Sequence, residues 1–369
     1  MLIQHLRYYY SRLIQNIDFP LLIITLGIMA LGLITIYSAT HETHNRTLNQ
    51  IVHMLIGMVI MWLAANVPPQ QMMRFAIPFY VTGIILLLLV FPFGITVNGA
   101  RRWLSLGFVR IQPSEMLKIA VPLMLAWYFH RHEGFLEFRH YAFAALLLAI
   151  PFLLIFKQPD LGTAILVGAV GFYVIFFAGP PWKVIIGGIL LMITSAPFVW
   201  PMLQPYQQQR ILTFLDPSSD PLHSGYHIIQ STIAIGSGGL VGKGWLSGTQ
   251  SRLEFIPERH TDFIFAVFSE EHGLLGNSIL IALYLTLVIR GLMIAANAPT
   301  VFARVLGGAI SLSFFTYAFV NIGMVSGLLP VVGVPLPFMS YGGSALVTLF
   351  LGIGILMSIK SHKTLVKSR

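Results

Sequence analysis

Long apolar runs alternate with short polar segments along almost the whole chain. A helix needs about 20 apolar residues to cross the hydrocarbon core of a bilayer. Because such runs recur ten times, the pattern predicts ten membrane-spanning helices. The runs cover residues 20–37, 51–67, 75–91, 113–129, 141–156, 161–178, 184–200, 262–289, 301–326 and 338–359.

The fold class that follows is an all-α polytopic integral membrane protein, with residues 1–369 forming one membrane domain. The longest predicted connection is an outer loop over residues 201–261, between the seventh and eighth spans, with enough aliphatic and aromatic residues to pack back on the helices. Residues 1–19 mix Arg7 and Arg12 with three tyrosines and spaced aliphatics, which is typical of an interfacial helix. No small-residue cleavage site follows the first span, so we expect this span to be retained.

Composition excludes an ordinary soluble protein. Hydrophobic residues make up 56% of the chain and charged residues 9%, against roughly a quarter charged in a soluble domain. The mean hydropathy is +0.80. The chain has no cysteine, which excludes disulfides, cysteine nucleophiles and thiolate metal sites.

The net charge of +9 is distributed unevenly around the predicted spans. An even number of spans places both termini on one side, and the cations of the C-terminal tail make that side cytoplasmic. Ten other cations fall in or beside outer segments, and we expect several of them to bind an anionic group; the alternative is that long outer loops cross the membrane whatever their charge. Nucleic acid is not an expected partner, because the cations form no continuous basic face. The ten are Arg46, Arg101, Arg102, Arg110, Lys118, Lys157, Arg210, Lys243, Arg252 and Arg259.

Acidic residues at span ends are candidates for function, because ionisable groups are costly at membrane depth. Glu115 and Lys118 lie three residues apart at the start of the fourth span, so they share a helix face and are expected to form a structural ion pair. Asp160 follows a proline at the start of the sixth span. For Asp160, helix capping and a functional role are both open.

Asp262 is the strongest candidate for catalysis. It stands at the junction of the long loop and the eighth span, where Thr261 is a sufficient N-cap, so the helix does not require Asp262 to start. The next six residues, FIFAVF, are apolar, which favours a pKa raised toward the range of a general base. The alternative is an aspartate solvated at the membrane edge.

Two other motifs carry little chemistry. The segment GSGGLVGKGWLSG lacks the ending of a phosphate-binding loop and follows no predicted strand, so we interpret it as a flexible outer segment. The histidines show no helical pairing of the kind that binds zinc. One of them, His260, stands beside Asp262.

Five segments together resemble the SEDS family of bacterial cell-wall synthesis. The resemblance runs from the first span to the last. Within the family, ERHTDFIF and VVGVPLPFMSYGGS are closer to the elongation branch than to the division branch, which tends to have alanine at the position of Arg259. The segments are NGARRWLSLGFVRIQPSEMLKIA, KQPDLGTA, QQQRILTFLDPSSDPLHSGYHIIQSTIAIGSGGLVGKGWLSGTQS, FIPERHTDFIFAVFSEEHGLLG and LLPVVGVPLPFMSYGGSALV.

The resemblance implies a peptidoglycan glycosyltransferase that polymerises lipid II at the periplasmic face of the bacterial inner membrane during elongation. Its implied partners are a class B penicillin-binding protein of the transpeptidase type and other membrane proteins of the elongation complex. Asp262 falls on the family's essential acid, and Glu115 and Lys118 fall on its salt bridge. Asp160 falls on a further family acid and Arg46 on a family arginine.

This chemistry agrees with the residues available. Forming a β-1,4 link from an α-linked lipid diphosphate is one inverting displacement, in which the acceptor hydroxyl needs a base and cations neutralise the departing diphosphate. A divalent cation, Mg²⁺ or Mn²⁺, is an additional candidate near the acids, and no other cofactor is expected. The candidate substrate-binding residues are Arg46, Arg101, Asp160, Arg210, Lys243, Arg259 and His260.

Two other functions fit a membrane protein with outer cations. A lipid II flippase would use charges distributed through the bilayer depth, whereas here they crowd at the outer ends of the spans. A non-catalytic scaffold for the penicillin-binding protein would tolerate the loss of the Asp262 carboxylate. We therefore expect the enzyme.

Overall fold

The computed structural model describes residues 15–40, 44–97, 100–105, 107, 110–134, 136–216, 224–253, 255–256 and 258–362. Most of the predicted interfacial helix, residues 1–14, lies outside the described residues. So do Lys363, Lys367 and Arg369 of the tail.

Helices dominate the described chain. The first seven are α1 (Phe19–Ala39), α2 (His44–Ala65), α3 (Pro69–Phe93), α4 (Pro113–Arg131), α5 (Phe138–Lys157), α6 (Leu161–Phe177) and α7 (Trp182–Val199). A short 3₁₀ turn (Trp200–Met202) leads into the long connection, which contains α8 (Pro205–Leu215), α9 (Ser224–Ser237) and α10 (Thr249–Arg252). The last three helices are α11 (Ile264–Ala296), α12 (Val301–Val325) and α13 (Ser344–Ser361).

A helix occupies each of the ten apolar runs found in the sequence. Within the described residues, eight helices are long and apolar enough to cross a membrane, and the apolar helix α6 is slightly shorter. The protein is therefore a multi-pass membrane protein, as predicted. The last run differs from its prediction, because residues 338–343 form a loop and the helix begins only at Ser344.

A small antiparallel sheet between α3 and α4 was not anticipated by an all-α prediction. Its strands are β1 (Ile95–Val97), β2 (Ala100–Ser105) and β3 (Arg110–Ile111), in the order β1-β2-β3. In this connection, which lies outside the apolar helical runs, paired strands satisfy the backbone hydrogen bonds. The sheet places three arginines at the end of the bundle that also carries Asp262, called here the Asp262 end.

Close helix contacts hold the bundle together. A Cβ atom at Gly354 of α13 would lie 2.4 Å from the carbonyl oxygen of Met61 in α2, so these helices approach at a distance only glycine allows. At the opposite end of the bundle, Asp18 is fully buried and accepts hydrogen bonds from Arg290, while Lys360 forms an ion pair with it. Although burial would raise the pKa of Asp18, these two cations outweigh it and lower the net pKa.

The glycine-rich segment expected to be flexible is packed instead. At Gly273, with φ +63°, helix α11 kinks and leaves carbonyl groups without helical donors. The backbone amides of Lys243 and Gly244 donate to the carbonyls of Glu270 and Glu271, each at 3.0 Å. This correction has a physical reason, since a broken helix at membrane depth requires other donors for its freed carbonyls. The expectation that the long loop packs back on the helices is confirmed.

Candidate active site around Asp262

Asp262 lies in the turn before α11, under the loop that joins α12 to α13. The side chain of Asn321, in α12, donates to the carbonyl oxygen of Asp262 at 2.9 Å and to that of Val334 at 2.7 Å. Asn321 is fully buried. One buried amide therefore ties the backbone of Asp262 to the loop above it.

Two further contacts fasten the same loop to the turn. The hydroxyl of Ser340 donates to the carbonyl of Thr261 at 2.7 Å, and the amide of Tyr341 donates to the carbonyl of His260 at 2.9 Å. Gln50, in α2, donates in turn to the carbonyl of Ser340 at 3.1 Å. These contacts fix the position of the turn from two sides, the loop after α12 and helix α2.

Gly333 stands directly against the carboxylate. A Cβ atom at this position would lie 3.3 Å from Oδ2 of Asp262, and the backbone φ of +74° is in the left-handed region that favours glycine. The loop therefore needs glycine for both conformation and space.

Replacing Gly333 with alanine is expected to lower kcat by roughly tenfold to a hundredfold, because small displacements of a catalytic group are costly. Gly342→Ala is the matched control, since a Cβ atom at Gly342 would meet nothing within 4 Å. Steady-state kinetics of the two variants provide the measurement. Equal activity in both would show that Gly333 does not set the position of the carboxylate.

The electrostatic environment of Asp262 favours a base. Burial, assisted by the negative charge of Glu258, raises the pKa of Asp262 to about 6, although the positive charge of Arg210 opposes the shift. A carboxyl group with this pKa is ionised at neutral pH and accepts a proton more readily than an ordinary aspartate. The predicted shift toward the range of a base thus agrees with the structure.

Three of the predicted cations lie at the turn that carries Asp262. Arg210 comes from α8. Arg46, from α2, lies 3.1 Å from Nε2 of His260, and Arg259 donates to the carbonyl of Ala39 at the end of α1 at 2.7 Å. Burial, assisted by the charge of Arg46, lowers the pKa of His260, so its ring is neutral at pH 7. The charge of Arg210 therefore acts on the Asp262 carboxylate itself, whereas Arg46 and Arg259 are held through residues of, or next to, its turn.

Asp160 caps the first turn of α6, accepting from the amide of Thr163 at 3.2 Å. Its carboxylate also accepts from Gln112 at 3.0 Å and lies 3.6 Å from Arg102. The structure thus shows that Asp160 caps α6, and its role in substrate binding stays a prediction. The N-terminus of α6 also packs on the loop above Asp262, because a Cβ atom at Gly162 would lie 2.6 Å from the carbonyl oxygen of Val332.

Glu115 and Lys118 form the predicted ion pair, with Nζ 2.6 Å from Oε1. The pair is largely buried, and both partners have further contacts. Thr348 donates to the other oxygen of Glu115 at 3.2 Å, and Lys118 lies 5.3 Å from the ring centroid of Tyr317.

Two of the predicted diphosphate ligands are engaged elsewhere. Lys243 lies 2.7 Å from Oε1 of Glu270, a fully buried carboxylate more than a turn inside α11. Arg101 donates to the carbonyl of Phe91 near the end of α3 at 2.9 Å. Because its ammonium group is paired with a buried carboxylate, we leave Lys243 out of the proposed diphosphate site, whereas a contact with one carbonyl leaves Arg101 a prediction.

The family model described as cell cycle protein, FtsW/RodA/SpoVE, matches residues 19–365. The chain belongs to this family. The peptidoglycan glycosyltransferase MrdB of Escherichia coli strain K12 is 51% identical over 352 residues, 95% of each chain. A probable peptidoglycan glycosyltransferase FtsW of Geobacter metallireducens is 35% identical over 363 residues, covering 95% of this chain and 96% of the relative.

Solved structures of FtsW/RodA/SpoVE proteins agree with the fold. A chain from a peptidoglycan synthase complex, studied for its coordination of polymerization and crosslinking, superposes with a TM-score of 0.82 at 31% identity, covering 94% of this chain and 98% of that one. RodA of Thermus thermophilus gives a TM-score of 0.72 at 27% identity, covering 94% and 97%. The resemblance stated from the sequence, and the class of glycosyltransferase that it implied, are confirmed.

Membership of the FtsW/RodA/SpoVE family does not decide whether a metal takes part. In the part of the chain that the structure describes, no three His, Asp or Glu side chains are arranged as metal ligands. Glu258 is the carboxylate whose negative charge helps to raise the pKa of Asp262. It accepts a hydrogen bond from the hydroxyl of Thr261 at 2.9 Å. The divalent cation therefore stays a prediction.

Sequence reasoning missed the residues that position Asp262: Gln50, Asn321, Gly333 and Ser340. A signal for one of them was present, since a lone asparagine inside the apolar run FVNIGMV is costly unless it has a partner. The others lie in or contact a segment quoted for the family resemblance, but its contact with Asp262 depends on tertiary packing.

Proposed function

We propose that this protein is a lipid II polymerase in which Asp262 is the general base. The observation that carries the proposal is the position of Asp262, a carboxylate with a pKa raised to about 6, on which the charge of Arg210 acts, in a turn that includes Arg259 and contacts Arg46 through His260. A base and a set of cations are the two functions that an inverting transfer from a lipid diphosphate requires.

In the proposed reaction, Asp262 takes the proton from the 4-hydroxyl of the acceptor sugar. That oxygen attacks C1 of the donor, and the new bond forms as the bond from C1 to the diphosphate oxygen breaks. The electron pair leaves with the diphosphate, whose growing charge Arg46, Arg210 and Arg259 stabilise. Attack from the opposite face inverts the α-linked donor to a β-1,4 link.

The proposed location is the bacterial inner membrane, with both termini in the cytoplasm and the Asp262 end facing the periplasm. Lys360 and the uniformly basic tail support this orientation, because cytoplasmic segments carry an excess of Lys and Arg. Asp18 and Lys360 form an ion pair, so the two ends of the described chain lie on the same side.

The proposed partner is a class B penicillin-binding protein, within a set of elongation-complex membrane proteins. Its support is the likeness to a chain from a synthase complex that coordinates polymerization with crosslinking. A polymerase anchored beside a transpeptidase would pass its glycan strand to the crosslinking enzyme without release into the periplasm.

The experiment is a polymerisation assay with purified protein, the partner and labelled lipid II, in which glycan length is measured on a gel. Arg210→Gln and Arg259→Gln are expected to lower both kcat and apparent affinity, because the charge they supply matters most as the diphosphate departs. Arg74→Gln and Arg139→Gln, at the opposite end of the bundle, are the controls and should remain near wild type.

Two results would contradict the proposal. Equal losses from both pairs of arginines would show that the charges act on membrane insertion. Wild-type protein that moved labelled lipid II across a vesicle membrane but formed no polymer would instead support a flippase.

A further inference from the structure

A cavity of about 510 Å³ opens at the Asp262 end of the bundle, separate from the residues that hold the base. It lies between α2, α3, α4 and α13, with β3 at its rim. Cavities of this size commonly hold an organic ligand. The residues at its rim are polar, and they include His53, Arg110, Gln112, Glu115 and Ser344.

Below the rim the cavity becomes wholly apolar. A second cavity of about 260 Å³ shares Phe79, Ile119 and Leu351 with the first and continues toward Val67 at the opposite end of the bundle. Phe75, in its wall, is 63% exposed on the face of the bundle where lipid lies. The two cavities therefore form one groove, which runs from a polar rim along the membrane depth and is accessible from the bilayer.

The rim carries positive charge that no carboxylate neutralises. Arg110 is exposed and has no ion-pair partner among the described residues, and Nδ1 of His53 is buried without a hydrogen-bond partner. The one acid of the rim, Glu115, is already paired with Lys118. A polar head with negative charge and a long apolar tail would match this groove at both ends.

One aromatic ring connects the rim to the base. The ring of Tyr341 lies 6.3 Å from that of His53 and 5.9 Å from that of His260, measured between centroids. His260 is two residues before Asp262. The ring of Tyr341 thus separates His53 of the rim from His260 and its turn, whereas Arg46 contacts His260 directly.

This separation distinguishes the two substrates of the reaction. The diphosphate of the donor is bonded to the carbon under attack, so it must lie close to the base. The diphosphate of the acceptor is at the far end of a disaccharide from the hydroxyl that attacks. Arg210, whose charge acts on Asp262, and Arg46, which contacts His260, fit the first position, and Arg110 with His53 fits the second.

From the proposed polymerase function, we infer that the groove between α2, α3, α4 and α13 is the acceptor site. The apolar part holds the polyisoprenoid tail of the acceptor, and Arg110 and His53 bind its diphosphate. The disaccharide lies across Tyr341, which directs the 4-hydroxyl to Asp262. The donor binds on the other side of the base, where its departing diphosphate meets the arginines nearest Asp262.

The test uses two lipid II analogues that can each play only one role. An analogue with its 4-hydroxyl capped by a sugar serves only as donor, and one with a non-cleavable phosphonate at C1 serves only as acceptor. Together they form a single new link, so the apparent KM for each can be measured while the other is saturating.

Arg110→Gln and His53→Gln are expected to raise the apparent KM for the acceptor analogue about tenfold each, the effect of losing one hydrogen bond to a charged group. The apparent KM for the donor analogue and kcat at saturation should be unchanged. Tyr341→Ala should also raise the acceptor KM, while Tyr341→Phe, which keeps the ring, should behave like wild type. Arg139→Gln, at the opposite end of the bundle, is the control for loss of a surface charge.

Two outcomes would overturn the inference. An increased donor KM with an unchanged acceptor KM would assign the groove to the donor. Unchanged KM values for both analogues, with kcat intact, would show that neither diphosphate binds at the rim. Failure of the polymerase proposal itself would look different, because wild-type protein would then form no product from the pair of analogues.

Discussion

Asp262→Asn is expected to lower the rate of glycan polymerisation by about 10² to 10⁴, the usual contribution of a general base. The variant should still insert into the membrane and bind its partner, because the carboxylate is not needed as a helix cap. The measurement is the initial rate of lipid II consumption by purified complexes. Glu137→Gln, at an exposed position near the start of α5, is the control.

The pH dependence of the wild-type enzyme supplies a second readout of the same residue. Since only the ionised carboxylate accepts a proton, kcat should rise with pH and reach half its maximum near the pKa of Asp262, about 6. Two results would show that Asp262 is not the base. One is glycan polymer of wild-type length made by Asp262→Asn, and the other is a wild-type rate that does not change between pH 5 and pH 7.

The raised pKa of Asp262 also has a consequence for stability. The folded protein binds this proton more tightly than the unfolded chain, so stability present at low pH is lost as pH rises from 3.8 toward about 6. Asp262→Asn removes the buried charge, and we expect its unfolding temperature in detergent to exceed that of wild type at pH 7. The difference should vanish below pH 4, where the wild-type carboxyl is protonated.

Lys118→Ala is expected to cost about 3 to 5 kcal/mol of stability, because it leaves the buried carboxylate of Glu115 without its partner. Exchanging the two residues, with Glu115→Lys and Lys118→Glu in one chain, should recover part of this loss. Recovery should be incomplete, since Tyr317 lies beside a cation at position 118 and Thr348 donates to an acceptor at position 115. Thermal unfolding in detergent provides the measurement.

The matched control is the exposed ion pair between Arg139 and Glu137, 3.0 Å apart. Its disruption by Arg139→Ala should change stability little, because solvent screens an exposed pair. A double exchange at Glu115 and Lys118 that is no more stable than the worse single variant would show that the two charges do not stabilise the fold as a pair.

Much of the fold follows from local patterns in the sequence. Spans are set by apolar runs of helix length, so each of the ten runs became a helix, and the acidic candidates were visible because charges at span ends are costly. The start of α13 was misplaced by several residues. Residues 338–343 are apolar or small, so the hydropathy pattern included them in the last span. In the structure they form part of the loop above Asp262, with Phe338 at φ +60°.

The sequence could not show which of the outer cations lie near Asp262. Lys243 and Arg210 both belong to the long loop, and their composition and distance along the chain do not show which of them faces Asp262. The structure pairs Lys243 with Glu270 and brings the charge of Arg210 to the carboxylate. The partner of each cation depends on how α8 and the glycine-rich segment pack against α11.

The sequence by itself determined the class of membrane protein, the family and the leading candidate for the catalytic acid, because hydropathy and motifs are local properties of the chain. Only the tertiary structure decided how that acid is held and surrounded. Asn321 and Gly333 follow Asp262 by many residues, yet they set its position by a hydrogen bond and by the absence of a side chain. Such contacts join residues distant in sequence, so no local pattern encodes them.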